Sequence, residues 1–282
     1  MTAKITPDER WQQIVAAPDN QVNLAEAALV VAAAEYPNLD IDVYLDRIDE
    51  LAVQLRRRLR QDIPPTEAIL ALNHYLFDEL GFSGNAAEYY DPRNSFLNDV
   101  LDRRLGIPLT LSIVYIEIGR RAGLALRGVS FPGHFLVKCI VRDGAIMLDP
   151  YAKGASLSIE DLQQRLKTLC NGIEPTPEAV RHMLAAAGNK EILARMLRNL
   201  KGTYLHQNEM MKALAAAERI IAMAPDVADE YRERGRIYLN LECFRAALAD
   251  FRHYLLLEPV ADDAKVIQQQ VAELQQVAAR LN

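Results

Sequence analysis

His134 and Asp149 are the two residues of this chain whose types and spacing best support chemistry. An imidazole backed by a carboxylate is a general base held in one tautomer. Both lie in the stretch from Asn94 to Pro150, and a base of this kind needs a nucleophile nearby. The start of a helix at Ile107-Pro108, just upstream, is where one would stand, in the field of the helix's positive end.

The elements that must position these groups can be read from periodicity. Pro108 suits a first helical turn, where its missing N–H has no partner to lose. From Leu109 to Ala122 the residues are apolar on nearly every side, the pattern of a buried helix, and Gly123 ends it. The chain then turns extended, with candidate strands over Arg127–Phe131, His134–Val141 and Ala145–Asp149. Asp143-Gly144 is a strong hairpin signal. A two-residue turn there sets Lys138 opposite Asp149, with His134 on the same face but about 13 Å away at ~3.3 Å per residue. A direct contact then needs a bulge, a longer loop or strong twist. The alternative readings are a structural histidine beside Pro132-Gly133 and a turn aspartate before Pro150.

Upstream the chain reads as helical. Asn23 is a candidate N-cap for LAEAALVVAAAEY, and Pro37 closes that segment. Asp40 to Arg60 forms an amphipathic helix, with Leu45, Ile48, Leu51, Leu55 and Leu59 at helical spacing. Its arginine run, LRRRLRQD, therefore reads as a solvated face. Thr66 is placed to cap the next helix, which Gly81 ends. Asn94 or Ser95 starts a short helix, FLNDVLDRRL, ending at Gly106. Within the central helix, Glu117 is spaced to pair with Arg120 or Arg121. Ser158 caps IEDLQQRLKTL, which Asn171-Gly172 ends, and Glu174-Pro175-Thr176-Pro177 is the best linker. One buried helix followed by a few strands predicts an α+β fold.

Beyond the linker there is an internal repeat. Tyr204, Ala213 and Pro225 recur as Tyr238, Ala247 and Pro259, each 34 residues on. Gly235 and Phe251 complete the second copy, whereas the first has Lys201 and Ala217 there. This resembles the tetratricopeptide repeat, a helix–turn–helix unit. Residues 262–281 read as a helix capping the array.

Composition excludes several classes. Half of the 282 residues are hydrophobic and a quarter charged, as in soluble globular proteins. Net charge is −6, with 18 Lys+Arg against 25 Asp+Glu in residues 1–180 and 14 against 13 in 181–282. Neither half offers nucleic acid a basic footprint. The run from Ala27 to Ala34 is too short to span a bilayer. Cys139, Cys170 and Cys243 have no metal spacing and form no disulfide framework. The N-terminus has no signal-peptide core, so the expected location is cytoplasmic.

FLNDVLDRRLGIPLTLSIVYIEIGRRAGL, then GVSFPGHFLVK, then LDPYAKG, resembles the SirB family, a bacterial branch of the transglutaminase-like superfamily, followed by a tetratricopeptide segment. The resemblance covers most of the chain. It implies a helical N-terminal region with a transglutaminase-like core of buried helix and small antiparallel sheet over residues 1–174. Residues 178–282 would then hold repeats at about 194–227 and 228–261 and a capping helix. It also implies a papain-like order: a nucleophilic Cys at the start of a buried helix, then His, then Asp. The His maps to His134 and the Asp to Asp149. The Cys position, counted back from Gly123, falls near Pro108, where there is no cysteine. The nearest hydroxyls are Thr110 and Ser112, far less ionised than a thiol at neutral pH. Asn94, Asn98, Pro108 and Ser112 are the expected cleft residues, with Tyr89 and Tyr90 either at its rim or packed.

The expected function is a non-catalytic protein- or peptide-binding scaffold with a regulatory role. The alternative is a peptide- or amide-bond hydrolase or acyl transferase using Thr110 or Ser112 with His134 and Asp149. No metal, cofactor, nucleic-acid or membrane partner is expected. The partner's identity and the oligomeric state are not written in the sequence.

Overall fold

A computed structural model describes residues 5–169, 172–173 and 175–280. Cys170, Asn171, Glu174 and Leu281, named above, lie outside the described residues. The fold is α+β, and the chain divides into two compact units, Met1–Met196 and Leu197–Asn282.

In the first unit, α1 (Pro7–Ala16), α2 (Leu24–Ala33) and α3 (Ile41–Arg56) lead to α4 (Pro65–Asn73). The Asn23 side chain caps α2 by accepting the Glu26 N–H at 3.2 Å. Every residue of α2 but Glu26 is buried, as its apolar run requires. Thr66 is not the cap of α4. Pro64 holds that position and Pro65 the first turn, where a fixed φ is already helical. The helix runs on as a π-helical turn, His74–Glu79, and ends at Gly81 with φ +75°.

α5 (Leu97–Arg103) starts after Phe96, not at Asn94 or Ser95, and Arg104 takes the left-handed position that closes it. The chain thus leaves the helix before Gly106, which belongs to a short strand. β1 (Ser83–Gly84) and β2 (Leu105–Gly106) pair in parallel just before α6 (Pro108–Ala122). α6 is buried along most of its length, and Gly123 ends it with φ +108°. Glu117 pairs with Arg121 at 2.5 Å and reaches Arg120 at 3.9 Å.

β3 (Leu126–Val129), β4 (Leu136–Val141), β5 (Gly144–Asp149) and β6 (Ala155–Leu157) form an antiparallel sheet in that order. One face rests on α6, so closely that a Cβ on Gly119 would come within 2.4 Å of Leu126. The other face carries Val129, Phe131, Leu136 and Met147, packed against Leu162 and Leu166 of α7 (Ile159–Leu169) and Val180 of α8 (Pro177–His182). Burial of such side chains supplies about 1.5–3 kcal/mol each. Ser158 and Asp161 cap α7 reciprocally. The Asp19 carboxylate caps α9 (Asn189–His206), accepting the N–H groups of Asn189 at 3.1 Å and Lys190 at 2.8 Å.

The second unit holds α10 (Met210–Met223), α11 (Ala228–Asn240), α12 (Phe244–Leu257) and α13 (Ala264–Arg280). Ala228, Ala247, Phe251, Tyr254, Ile267 and Leu274 form its core. Gly235 is there because the Phe251 ring presses on its backbone; a Cβ would sit 2.7 Å from it. In the first copy Lys201 replaces that glycine. Its ammonium is buried and meets the Glu230 carboxylate at 2.7 Å.

Candidate functional site

The hairpin register differs from the expected one. Val141 pairs with Gly144, so Arg142-Asp143 is the turn and Lys138 faces Met147, not Asp149. A type I′ turn needs φ > 0 at both central residues. Neither Arg142 nor Asp143 has it, and the positive φ falls instead on Gly144 at the hairpin's closing position. One step beyond the last pair, Val137 with Leu148, Asp149 falls opposite Leu136. The four-residue gap to His134 shrinks to two.

His134 also lies outside the strand. β4 starts at Leu136, and His134 occupies the turn before it, where its N–H donates to Phe131 O at 3.2 Å. Gly133 takes φ +68° in that turn. Arg195, from α9, holds it from outside: Nη1 donates to Ser130 Oγ at 2.9 Å and Phe131 O at 3.0 Å, and Nη2 to His134 O at 2.8 Å. Freed from strand alternation, the ring reaches the carboxylate. His134 Nε2 lies 2.9 Å from Asp149 Oδ1.

Asp149 is the buried last residue of β5. Its Oδ1 also accepts the N–H groups of Tyr151 at 3.1 Å and Ala152 at 3.3 Å, capping a 3₁₀ turn. Its Oδ2 pairs with Arg165 Nη2 at 2.9 Å. Burial pulls this carboxyl upward, but the hydrogen bonds and charges of His134 and Arg165 outweigh it and hold it below the ordinary carboxylate value. An ionised carboxylate only accepts, so Nε2 carries the ring proton. Nδ1 is then the basic nitrogen, with no hydrogen-bond partner among the described residues.

At the start of α6 the hydroxyls are otherwise engaged. Thr110 Oγ1 accepts the Ile107 N–H at 3.1 Å and donates to Asn94 O at 2.6 Å. Ser112 Oγ donates to Pro108 O at 2.7 Å. Both residues are fully buried, and each proton is committed to a backbone carbonyl. Pro108 holds the first helical position. Asn94 is buried too, accepting from Asn85 Nδ2 at 3.1 Å and donating to Glu88 O at 2.7 Å. Asn98 is buried, and its Oδ1 has no partner among the described residues. Cys139 is a buried thiol on β4, pushed up by burial and so a poorer nucleophile. Cys243 is exposed and belongs to the second unit.

Tyr151 links the two halves of the site. Its ring stands edge-on to His134 at 6.1 Å, and a Cβ on Gly84 would come within 2.3 Å of it. Gly84 pairs with Gly106, directly before α6. Tyr89 and Tyr90 stack edge to face and are exposed by 47% and 54%. Burial raises the Tyr89 phenol, and the charges of Tyr151 and Tyr90 raise it further. Behind Tyr151, Asn73 donates to Gly154 O at 3.0 Å and accepts from Tyr115 at 2.7 Å. Sequence reasoning missed Arg165, Arg195 and Asn73, because nothing local marks a residue whose partner is distant in the chain. Tyr151 carried a signal, since it stands in the LDPYAKG run. Among the described residues no group of three His, Cys, Asp or Glu could hold a metal ion, and no helix is long and apolar enough to cross a membrane.

Comparison with known proteins agrees with this architecture. A family profile for the transglutaminase-like superfamily matches residues 42–198, and a tetratricopeptide profile matches 200–272. A UPF0162 protein of Xylella fastidiosa (strain Temecula1) is 38% identical over 264 residues, covering 94% of each chain. The UPF0162 protein YchA of Escherichia coli K12 is 28% identical, over 89% of this chain and 93% of its own. F-box only protein 21 of Pongo abelii is 27% identical, over 78% of this chain but 39% of that protein. With a transglutaminase-like first unit and near full-length likeness to these bacterial proteins, the chain belongs to the transglutaminase-like superfamily and, within it, to the UPF0162 family.

Proposed function

We propose that the chain is a non-catalytic protein- or peptide-binding scaffold, a SirB-type member of its superfamily, acting in the cytoplasm in a regulatory role. The observation that carries this reading is where the α6 hydroxyl protons go. Thr110 and Ser112 each donate to a main-chain carbonyl, and His134 Nδ1 receives neither. General-base catalysis needs the base within hydrogen-bond reach of the proton it takes, and both hydroxyl protons point to main-chain carbonyls instead. The Asp149–His134 pair is then a fixed polar contact, and the exposed Tyr89–Tyr90 pair is the kind of aromatic surface that binds peptides. Tetratricopeptide repeats generally mediate protein–protein contacts, which favours the same reading. Free thiols at Cys139 and Cys243 fit a reducing compartment.

The test has two arms. The full chain is incubated with a fluorophosphonate probe and, separately, with a glutamine peptide plus a primary amine, and is followed by intact mass and ammonia release. No adduct on Thr110 or Ser112 and no turnover are expected; either one overturns the reading. A labelled chain is then applied to a peptide array, where reproducible binding weakened by Tyr89→Ala or Tyr90→Ala is expected. Retention of no peptide counts against the reading.

A further inference from the structure

A concave site lies at the C-terminal end of α6. It is a pocket of about 550 Å³ between the last turn of α3, the start of α4, the α6–β3 connection and the end of β4. That volume suits a small organic ligand and exceeds what an inorganic ion fills. Leu59, Ile63, Ala68 and Leu124 supply an apolar wall, and Cys139 closes the floor. Two cations, Arg56 and Arg60, stand in the lining, and no carboxylate does among the described residues.

The two arginines are not equivalent. Arg60 is engaged by Glu67 at 2.8 Å. Arg56 has no ion pair or hydrogen bond among the described residues. One unengaged guanidinium against an aliphatic wall matches one charge on an aliphatic body. Its planar fork fits a carboxylate bidentately, whereas a phosphate dianion would call for a second free cation. We propose that this pocket binds a small aliphatic carboxylate, with its carboxylate on Arg56 and its hydrocarbon chain along Leu59, Ile63 and Leu124. The site is distinct from the His134–Asp149 pair and does not depend on whether that pair is catalytic.

Calorimetric titration of the full chain with octanoate tests this, with 1-octanol and inorganic phosphate as the tail-only and charge-only probes. Saturable one-to-one binding of octanoate is expected, about tenfold or more tighter than of octanol, with none of phosphate. Arg56→Gln should weaken octanoate by about tenfold or more, and Arg56→Lys by less. Arg56 is exposed, so both variants should keep the parent's circular dichroism and unfolding midpoint. Octanoate should also slow alkylation of Cys139 while leaving Cys243, the in-molecule reference, unchanged. No saturable octanoate binding, equal affinity for octanol, or full affinity in a folded Arg56→Gln variant would overturn the proposal.

Discussion

Arg195 Nη2 donates to the main-chain carbonyl of His134 at 2.8 Å, so a residue of α9 sets the backbone of a turn 61 residues earlier. The same guanidinium also holds Ser130 and Phe131 and lies over the Phe135 ring at 5.5 Å. Arg195→Ala should cost about 2–4 kcal/mol, because it strips charged donors from several acceptors at once. It should also loosen His134 from Asp149. The slowly exchanging Nε2–H proton of His134 in the NMR spectrum should be lost. Arg195→Lys should restore little, since one ammonium cannot reproduce a planar fork. An unchanged Nε2–H signal in Arg195→Ala would show that the turn holds itself.

Asp149 makes acid stability a readout of the site. Its folded pKa is depressed, so the stability it contributes is complete above the ordinary carboxylate value, about 3.9, and is lost as pH falls through the folded value. Asp149→Asn should lower stability at pH 7 by about 2 kcal/mol, because His134 and Arg165 lose their charged partner. Arg165 is partly exposed, which keeps the cost at the low end. Below about pH 4 the two unfolding curves should converge. Urea midpoints measured from pH 7 to pH 2.5 give the comparison, and parallel curves across that range would remove the assignment.

Thr110→Val keeps the shape of the side chain and removes only the hydroxyl. The Ile107 N–H and the Asn94 carbonyl would then be buried without a partner. A loss of about 2–4 kcal/mol is expected, and Thr110→Ser should recover most of it. Urea denaturation followed by circular dichroism measures both. A valine variant as stable as the parent would mean that the hydroxyl is not what ties α6 to the segment before α5.

Gly154 meets two constraints at once. Its φ is +74°, and a Cβ would lie 2.0 Å from Asn73 Oδ1. Gly154→Ala should cost about 2–4 kcal/mol and break the Asn73 bridge to Tyr115. Asn73→Ala in the same background should add little beyond it, since both lesions open one contact. A double-mutant cycle by urea denaturation reads this directly, and additive losses would contradict it.

Much of this architecture was legible. Pro108 and Gly123 bracket α6 because one suits a first turn and the other a left-handed close, and both signals are local. The repeat was legible because Tyr204, Ala213 and Pro225 recur 34 residues on, and Gly235 does meet Phe251 across the hairpin. The hairpin register was not. Asp143-Gly144 is a turn dipeptide in isolation, yet Gly144 spends its freedom one position later, and local sequence does not say which. His134 was expected on a strand and stands in a turn, because Arg195 and Leu169 fix that turn from distant elements. The expected hairpin put His134 and Asp149 on one face but about 13 Å apart at ~3.3 Å per residue; the 2.9 Å contact depends on tertiary constraints that no window of residues contains.

The buried Lys201–Glu230 pair has a consequence for how the repeat array can evolve. Lys201 is 6% exposed and Glu230 4%, and Glu230 also holds Arg198 at 2.6 Å, so it is the Lys201 ammonium that keeps its charge indoors only while its partner faces it. A repeat inserted between them without an acid at the Glu230 position would leave the Lys201 ammonium buried and unpaired. The array is therefore keyed at this junction: its first hairpin accepts its own successor and not one that lacks the acid.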